Sequence, residues 1–152
     1  MKKFIFLSIL FLKFHFGFAQ TFTNSTGGSI QEVNITNAFP LEVSGLPGSI
    51  DSSLFGLVSV CFDIHHSYDG DLLIKLQSPD GNEIILSNQN GDGGNNYTNT
   101  IFSSAGGPNI AGGAAPFTGT YSPEDPFSNL PDFHYFQSFR CFECSVALTD
   151  LD

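Results

Sequence analysis

Val60-Cys61-Phe62-Asp63-Ile64-His65-His66-Ser67-Tyr68-Asp69-Gly70-Asp71-Leu72-Leu73-Ile74-Lys75-Leu76-Gln77-Ser78-Pro79-Asp80-Gly81-Asn82 is the stretch that decides the fold. Its first part continues an apolar run that starts at Leu57. Val58, Val60, Phe62 and Ile64 fall on one face of an extended chain, with Ser59, Cys61, Asp63 and His65 on the other. That period of two predicts a strand over Leu57–His65. A second strand is predicted over Leu72–Gln77, with Leu72, Ile74 and Leu76 on one face and Lys75 on the other. Ser78-Pro79-Asp80-Gly81 is turn chemistry, and Glu83–Leu86 is expected to pair back across it.

Outward from this hairpin the pattern stays short-stranded. Ile30–Ile35 alternates weakly, and Leu41–Gly48 reads as a short strand running into a turn. Downstream, residues 88–119 contain eight Gly, with Asn88, Asn90, Asp92, Asn95, Asn96 and Asn99 crowded at the start. Asn99–Phe102 reads as a short strand, and Ala114–Pro123 as a rigid loop studded with aromatics. No segment carries a helical period of useful length, and no internal repeat is evident. Sixteen Gly against one Met also disfavour a helix bundle. The expected class is all-β: an antiparallel β-sandwich in one domain.

The 152 residues divide unequally by charge. Lys2, Lys3 and Lys13 precede residue 20; beyond them only Lys75 and Arg140 oppose all fifteen acidic residues, a balance of −13. Such a polyanion is unsuited to a nucleic-acid backbone or an anionic membrane surface. Residues 1–19 read as a secretory signal peptide: a basic start, an apolar run Phe4–Leu12, and small residues at Gly17 and Ala19. Lys13 and His15 end the run well short of a membrane span. The expected location is extracellular. Residues 20–40 form an N-terminal lead-in and 41–152 the sandwich. Cys61, Cys141 and Cys144 are an odd set, read as a structural disulfide or buried thiols rather than a redox or zinc motif.

The central stretch resembles the P domain, or homo B domain, of subtilisin-like proprotein convertases. That family's pattern is an apolar strand, His-Thr-Tyr-x-Gly-Asp-Leu, a second apolar strand, then Ser-Pro-x-Gly-Thr; His66 to Leu72 and Ser78 to Asn82 follow it. Leu86–Phe102 is similar to the Gly- and Asn-rich loop of the bacterial versions. Ala115–Pro123 is similar to Pro-Phe-x-Gly-x-Tyr-x-Pro, and Ser128–Leu130 to the segment after it. The resemblance spans roughly residues 45–130. The family's next strand carries Gly-x-Trp-x-Leu, and this chain has no Trp. Arg140–Asp150 is expected to take that strand's place, and the family's last strand finds no counterpart, as a shortened reading frame, a frame shift near Pro131–Cys144 or, alternatively, plain divergence would give. The resemblance implies a jelly-roll-like, galactose-binding-like sandwich that accompanies a subtilisin-like serine endopeptidase catalytic domain, or another secreted protein. The endopeptidase activity would belong to that neighbour. The alternative is a stand-alone, calcium-assisted carbohydrate- or protein-binding module.

Candidate chemistry is sparse. Asp69-Gly70-Asp71 places two carboxylates at a turn, and Asp92 in the Gly-rich loop could add a third. Calcium collects six to eight hard oxygens, so Asp69, Asp71 and Asp92 are the expected ligands. The competing reading is that turn Asp and Asn side chains bond their own backbone. His65 and His66 are expected on opposite faces of a strand, unable to form one site. No serine sits in a Gly-x-Ser-x-Gly elbow, and only His134 follows His66. An independent hydrolase using His66 or His134 is therefore the weakest reading. Tyr68, Tyr97, Phe102, Phe117 and Tyr121 are either the edge of the core or a docking shelf.

Overall fold

The computed structural model describes residues 20–30, 36–45, 55–130, 139–140 and 145–150. The leader, the expected strand over Ile30–Ile35 beyond its first residue, His134, Cys141 and Cys144 lie outside them. Among the described residues no helix is long and apolar enough to cross a membrane.

The strands in chain order are β1 (Gln20–Thr23), β2 (Pro40–Leu41), β3 (Phe55–Ile64), β4 (Leu73–Gln77), β5 (Glu83–Asn88), β6 (Tyr97–Ser103), β7 (Phe117–Tyr121), β8 (Phe139–Arg140) and β9 (Ser145–Asp150). Among the described residues they form a five-stranded sheet ordered β1-β9-β3-β6-β7 and a four-stranded sheet ordered β2-β8-β4-β5. Val60, Phe62 and Ile64 of β3, Tyr97 and Phe102 of β6 and Phe117 of β7 meet Leu41, Ile74, Leu76, Ile84 and Leu86 of the other sheet in one buried core. The alternation read over Val60–Ile64 and Leu72–Leu76 thus marks the inner face of each sheet; Val58, expected on that face, falls at a register slip between β3 and β9 and is only half-buried, and Leu57 packs against the core instead. The expected hairpin is present as β4 and β5, antiparallel with Gln77 opposite Glu83.

Three expectations need correction. The segment Ala114–Pro123, read as a loop, contains β7. Thr118, Gly119 and Thr120 carry too little apolar character to announce a strand, so only pairing with β6 reveals it. That pairing is parallel, Tyr97 beside Phe117 and Phe102 beside Tyr121, so the sheet is mixed rather than antiparallel. A parallel neighbour needs a long return connection. Residues 104–116 supply it, pinned by the 3-10 turn Ile110–Gly112 with Ile110 fully buried. Third, the short strand expected over Leu41–Gly48 shortens to Pro40–Leu41 within the described residues.

Two polar devices adapt the sheets. The β3–β6 register slips between Phe62 and Ile64, and the β6–β7 register slips across Asn99. Asn99 sits at φ 48°, and its N–H donates to Asp63 Oδ1 at 2.6 Å. Asn tolerates that left-handed conformation better than most residues, so the bulge falls where Asn99 and Asp63 meet. At the outer edge of β5, residues 124–125 substitute for a strand. The Ile85 N–H donates to Asp125 Oδ2 at 2.8 Å, and the Asn88 N–H to Glu124 Oε1 at 2.8 Å. The Asp125 N–H in turn donates to Ile85 O at 2.9 Å. An uncovered edge offers unpaired donors and acceptors to other chains; here carboxylates cover it.

Candidate functional site

Asp69–Asp71 forms a single 3-10 turn after β3, and the Gly-rich loop between β5 and β6 folds onto it. The joint is made by main chain. The Asp69 N–H donates to Gly94 O and the Gly70 N–H to Asp92 O, each at 2.9 Å. Gly70 is required at this contact, since a Cβ there would lie 3.0 Å from Asp92 O and 2.9 Å from the Tyr68 ring. The loop holds its own shape through Gly94 N–H to Gly91 O at 2.9 Å. Left-handed backbone at Gly91, Asp92 and Asn96 turns it back toward β6.

The joint encloses the Asp69 carboxylate, which is 0% exposed. Oδ1 accepts the Asn96 N–H at 3.0 Å. Oδ2 is buried and has no hydrogen-bond partner among the described residues. Burial pushes the Asp69 pKa up; the Asn96 N–H and the nearby His66 pull it down less strongly. Asp71 and Asp92 are both exposed. Among the described residues no group of three or more His, Cys, Asp and Glu side chains stands close enough to hold a metal ion. Asp69, Asp71 and Asp92 therefore share one loop pair without converging as three chelating carboxylates.

The histidines lie just beyond β3, because the strand ends at Ile64. His65 is exposed. The His66 N–H donates to Asn96 Oδ1 at 3.1 Å, and its Nδ1 lies 2.9 Å from Tyr68 O. Asn96 thus ties the turn on both sides, to Asp69 through its backbone and to His66 through its side chain. Sequence reading placed Asn96 only in a crowd of asparagines. No local signal separates it from them, since even its positive φ is shared with Gln89, Asp92 and Asn99.

Most of the aromatic set points inward. Tyr97, Phe102 and Phe117 are fully buried, with Tyr97 and Phe117 stacked at 4.7 Å and Tyr121 edge-on to Phe117 at 5.9 Å. Tyr68, 48% exposed, is the member of the set that faces solvent. Beneath the loop a polar chain runs from Tyr97 Oη to Ser87 Oγ at 2.9 Å. Asn90 Nδ2 then donates to both Ser87 Oγ, at 2.9 Å, and Glu124 Oε1, at 2.6 Å. Ser87 is fully buried, so its hydroxyl serves structure rather than attack.

Burial pushes the Tyr97 phenol up to about 12, assisted by Asp69 and Glu124 and opposed by the Ser87 hydrogen bond. A raised folded value means that the native state keeps a proton the unfolded chain releases. This contribution is intact below pH 10 and is lost as pH rises from 10 toward 12. The loss is expected to approach about 2–3 kcal/mol at the top of that window. Urea unfolding of wild type and Tyr97→Phe at a series of alkaline pH values checks it. The phenylalanine variant should lack this part of the alkaline fall, and parallel pH curves would refute the assignment.

Residues 56–112 match the family model of the proprotein convertase P-domain. The match runs from β3 through the Asp69 turn and the Gly-rich loop to the 3-10 turn at Ile110. It agrees with the resemblance read from His66–Leu72 and Ser78–Asn82, over a narrower span than residues 45–130. No solved structure matches the chain.

Proposed function

We propose that this P-domain-like chain is a non-catalytic extracellular module that packs against a subtilisin-like serine endopeptidase and stabilises it. The match over residues 56–112 carries the reading. The polar groups at the loops support it: Asp63 and Asp69 are engaged with main-chain N–H groups of the Gly- and Asn-rich loop and β6, and the His66 ring with the main chain of its own turn at Tyr68. These side chains shape backbone. The signal-peptide character of residues 1–19 supports export.

Such a module works through buried area, with about 1,200–2,000 Å² expected for a specific contact. The large exposed apolar side chains of the described residues are Tyr68 and Leu73, at 48% and 51%, and both lie in the matched stretch. They are natural contact points. The test is co-expression of the chain with each subtilisin-like catalytic domain encoded in the same genome. Co-elution with one of them, and a higher unfolding temperature for that protease, is the expected result. No association with any of them would refute the pairing. Covalent labelling of the pure chain by a serine-directed fluorophosphonate would refute its non-catalytic character.

A further inference from the structure

We propose that the β5 edge is a strand-pairing surface for a second copy of this chain, and that the Pro123–Pro126 segment is a strap that keeps it closed. Among the described residues the edge strands are β1, β2, β5 and β7, and β5 is the longest of them at six residues. Its sequence Glu83-Ile84-Ile85-Leu86-Ser87-Asn88 holds three large aliphatic residues in a row, one charge, and neither Pro nor Gly. Such a segment on an open edge pairs readily with its own kind. Charge points to the same surface. Beyond residue 19 the chain carries a balance of −13, so two copies repel in general. The β5 edge is an exception, because its one carboxylate, Glu83, is bridged to Lys75 Nζ at 2.8 Å. An antiparallel pair centred on Ile85 sets Ile85 against Ile85 and Glu83 against Ser87, so no like charges meet.

The strap makes the contacts that a partner strand would make. The Ile85 N–H donates to Asp125 Oδ2 at 2.8 Å, and Ile85 O accepts the Asp125 N–H at 2.9 Å. Residues facing each other in an antiparallel ladder exchange two bonds in this way; here a side-chain oxygen stands in for one carbonyl. The Glu124 N–H reaches Leu86 O at 3.3 Å, and Glu124 Oε1 takes the Asn88 N–H at 2.8 Å. The strap then ends the sheet. Pro123 and Pro126 have no N–H, and the N–H groups of Glu124 and Asp125 both point at β5, so the strap has no main-chain donor left for a further strand. Buried Pro123 and Phe127 fix it at each end. Of its four bonds to β5, the two from the Ile85 and Asn88 N–H groups end on carboxylates, so loss of those side chains frees both donors. This inference does not depend on the protease partnership.

Light scattering over a range of protein concentrations tests it. The wild type should keep the monomer mass. The double variant Glu124→Ala/Asp125→Ala should rise toward twice that mass as concentration increases. Glu124→Gln/Asp125→Asn removes the same two charges but keeps the acceptor oxygens, and it should stay monomeric. A folded alanine variant that remains monomeric overturns the proposal. So does an amide variant that pairs equally well, since loss of charge would then be the cause. Amide hydrogen exchange locates the contact: the Ile85 and Asn88 protons should be slower in the paired alanine variant than in the same variant diluted to monomer. Unchanged rates at both would put the contact elsewhere and overturn the assignment to β5. Should the alanine variant fail to fold, exchange in the wild type decides. Transient opening of the strap should let copies pair, so exchange at Ile85 and Asn88 should slow as concentration rises, and rates independent of concentration overturn the proposal.

Discussion

Replacing Phe117 by alanine is expected to destabilise the protein by about 3–5 kcal/mol, a large part of the roughly 5–15 kcal/mol that holds a domain of this size. The ring is fully buried, stacks on Tyr97 at 4.7 Å and meets Tyr121 edge-on at 5.9 Å. It also fills the space beside two glycines: a Cβ on Gly91 or Gly113 would come within 2.8 or 2.9 Å of it. With both sides fitted to the ring, little can move in to fill a cavity, which places the cost toward the upper end of that range. Thr100 Oγ1 also donates to Phe117 O at 2.7 Å, so disturbance at Phe117 spreads into β6. Urea unfolding gives the number directly. A loss below about 1 kcal/mol would mean that β7 does not lie where the fold puts it.

The second large effect is expected at Gly91. Its φ of 95° is a conformation that L-residues resist, and its Cβ position is 2.8 Å from Phe117 and 3.1 Å from the Asp69 Cβ. Gly91→Ala therefore combines a backbone cost of about 1–2 kcal/mol with an overpacking cost of about 1–3 kcal/mol. Gly81 separates the two contributions. Its φ is 86°, yet nothing lies within 4 Å of its Cβ position. Gly81→Ala should show the backbone part alone, about 1–2 kcal/mol. The expected order is Gly91→Ala clearly worse than Gly81→Ala in the same unfolding assay. Equal losses would show that the loop is not packed against Phe117.

The two inner faces were legible because their signal is local. Val60, Phe62 and Ile64 repeat every second residue, as do Leu72, Ile74 and Leu76, and burial follows the same rhythm at five of the six. Leu72 falls just before β4 and is only partly buried. The Ser78–Gly81 turn was legible for the same reason. β7 was not, because Thr118-Gly119-Thr120 becomes a strand only by lying beside Tyr97–Phe102, and no short-range pattern encodes a parallel neighbour. The candidate site was half legible. Asp69-Gly70-Asp71 drew notice by composition, yet composition could not say that Asp69 turns inward while Asp71 stays exposed. Nor could it separate Asn96, which holds the turn by two bonds, from the asparagines around it. Those differences depend on which φ each residue adopts, set by the docking of two loops far apart in the sequence.

The position of β9 bears on how the chain is made. β9 pairs with β1 on one side and β3 on the other, so Gln20 meets Leu148 and Phe55 meets Asp150. During synthesis from the N-terminus, β1 emerges well before β9, its sheet partner among the described residues. β3, β6 and β7 can join earlier, but the β3 edge awaiting β9 stays open meanwhile. A nascent chain of this topology cannot complete its larger sheet step by step, and its unpaired edge is exposed to misassociation while it waits. The latest-made of the described strands is the one that joins the earliest of them to β3.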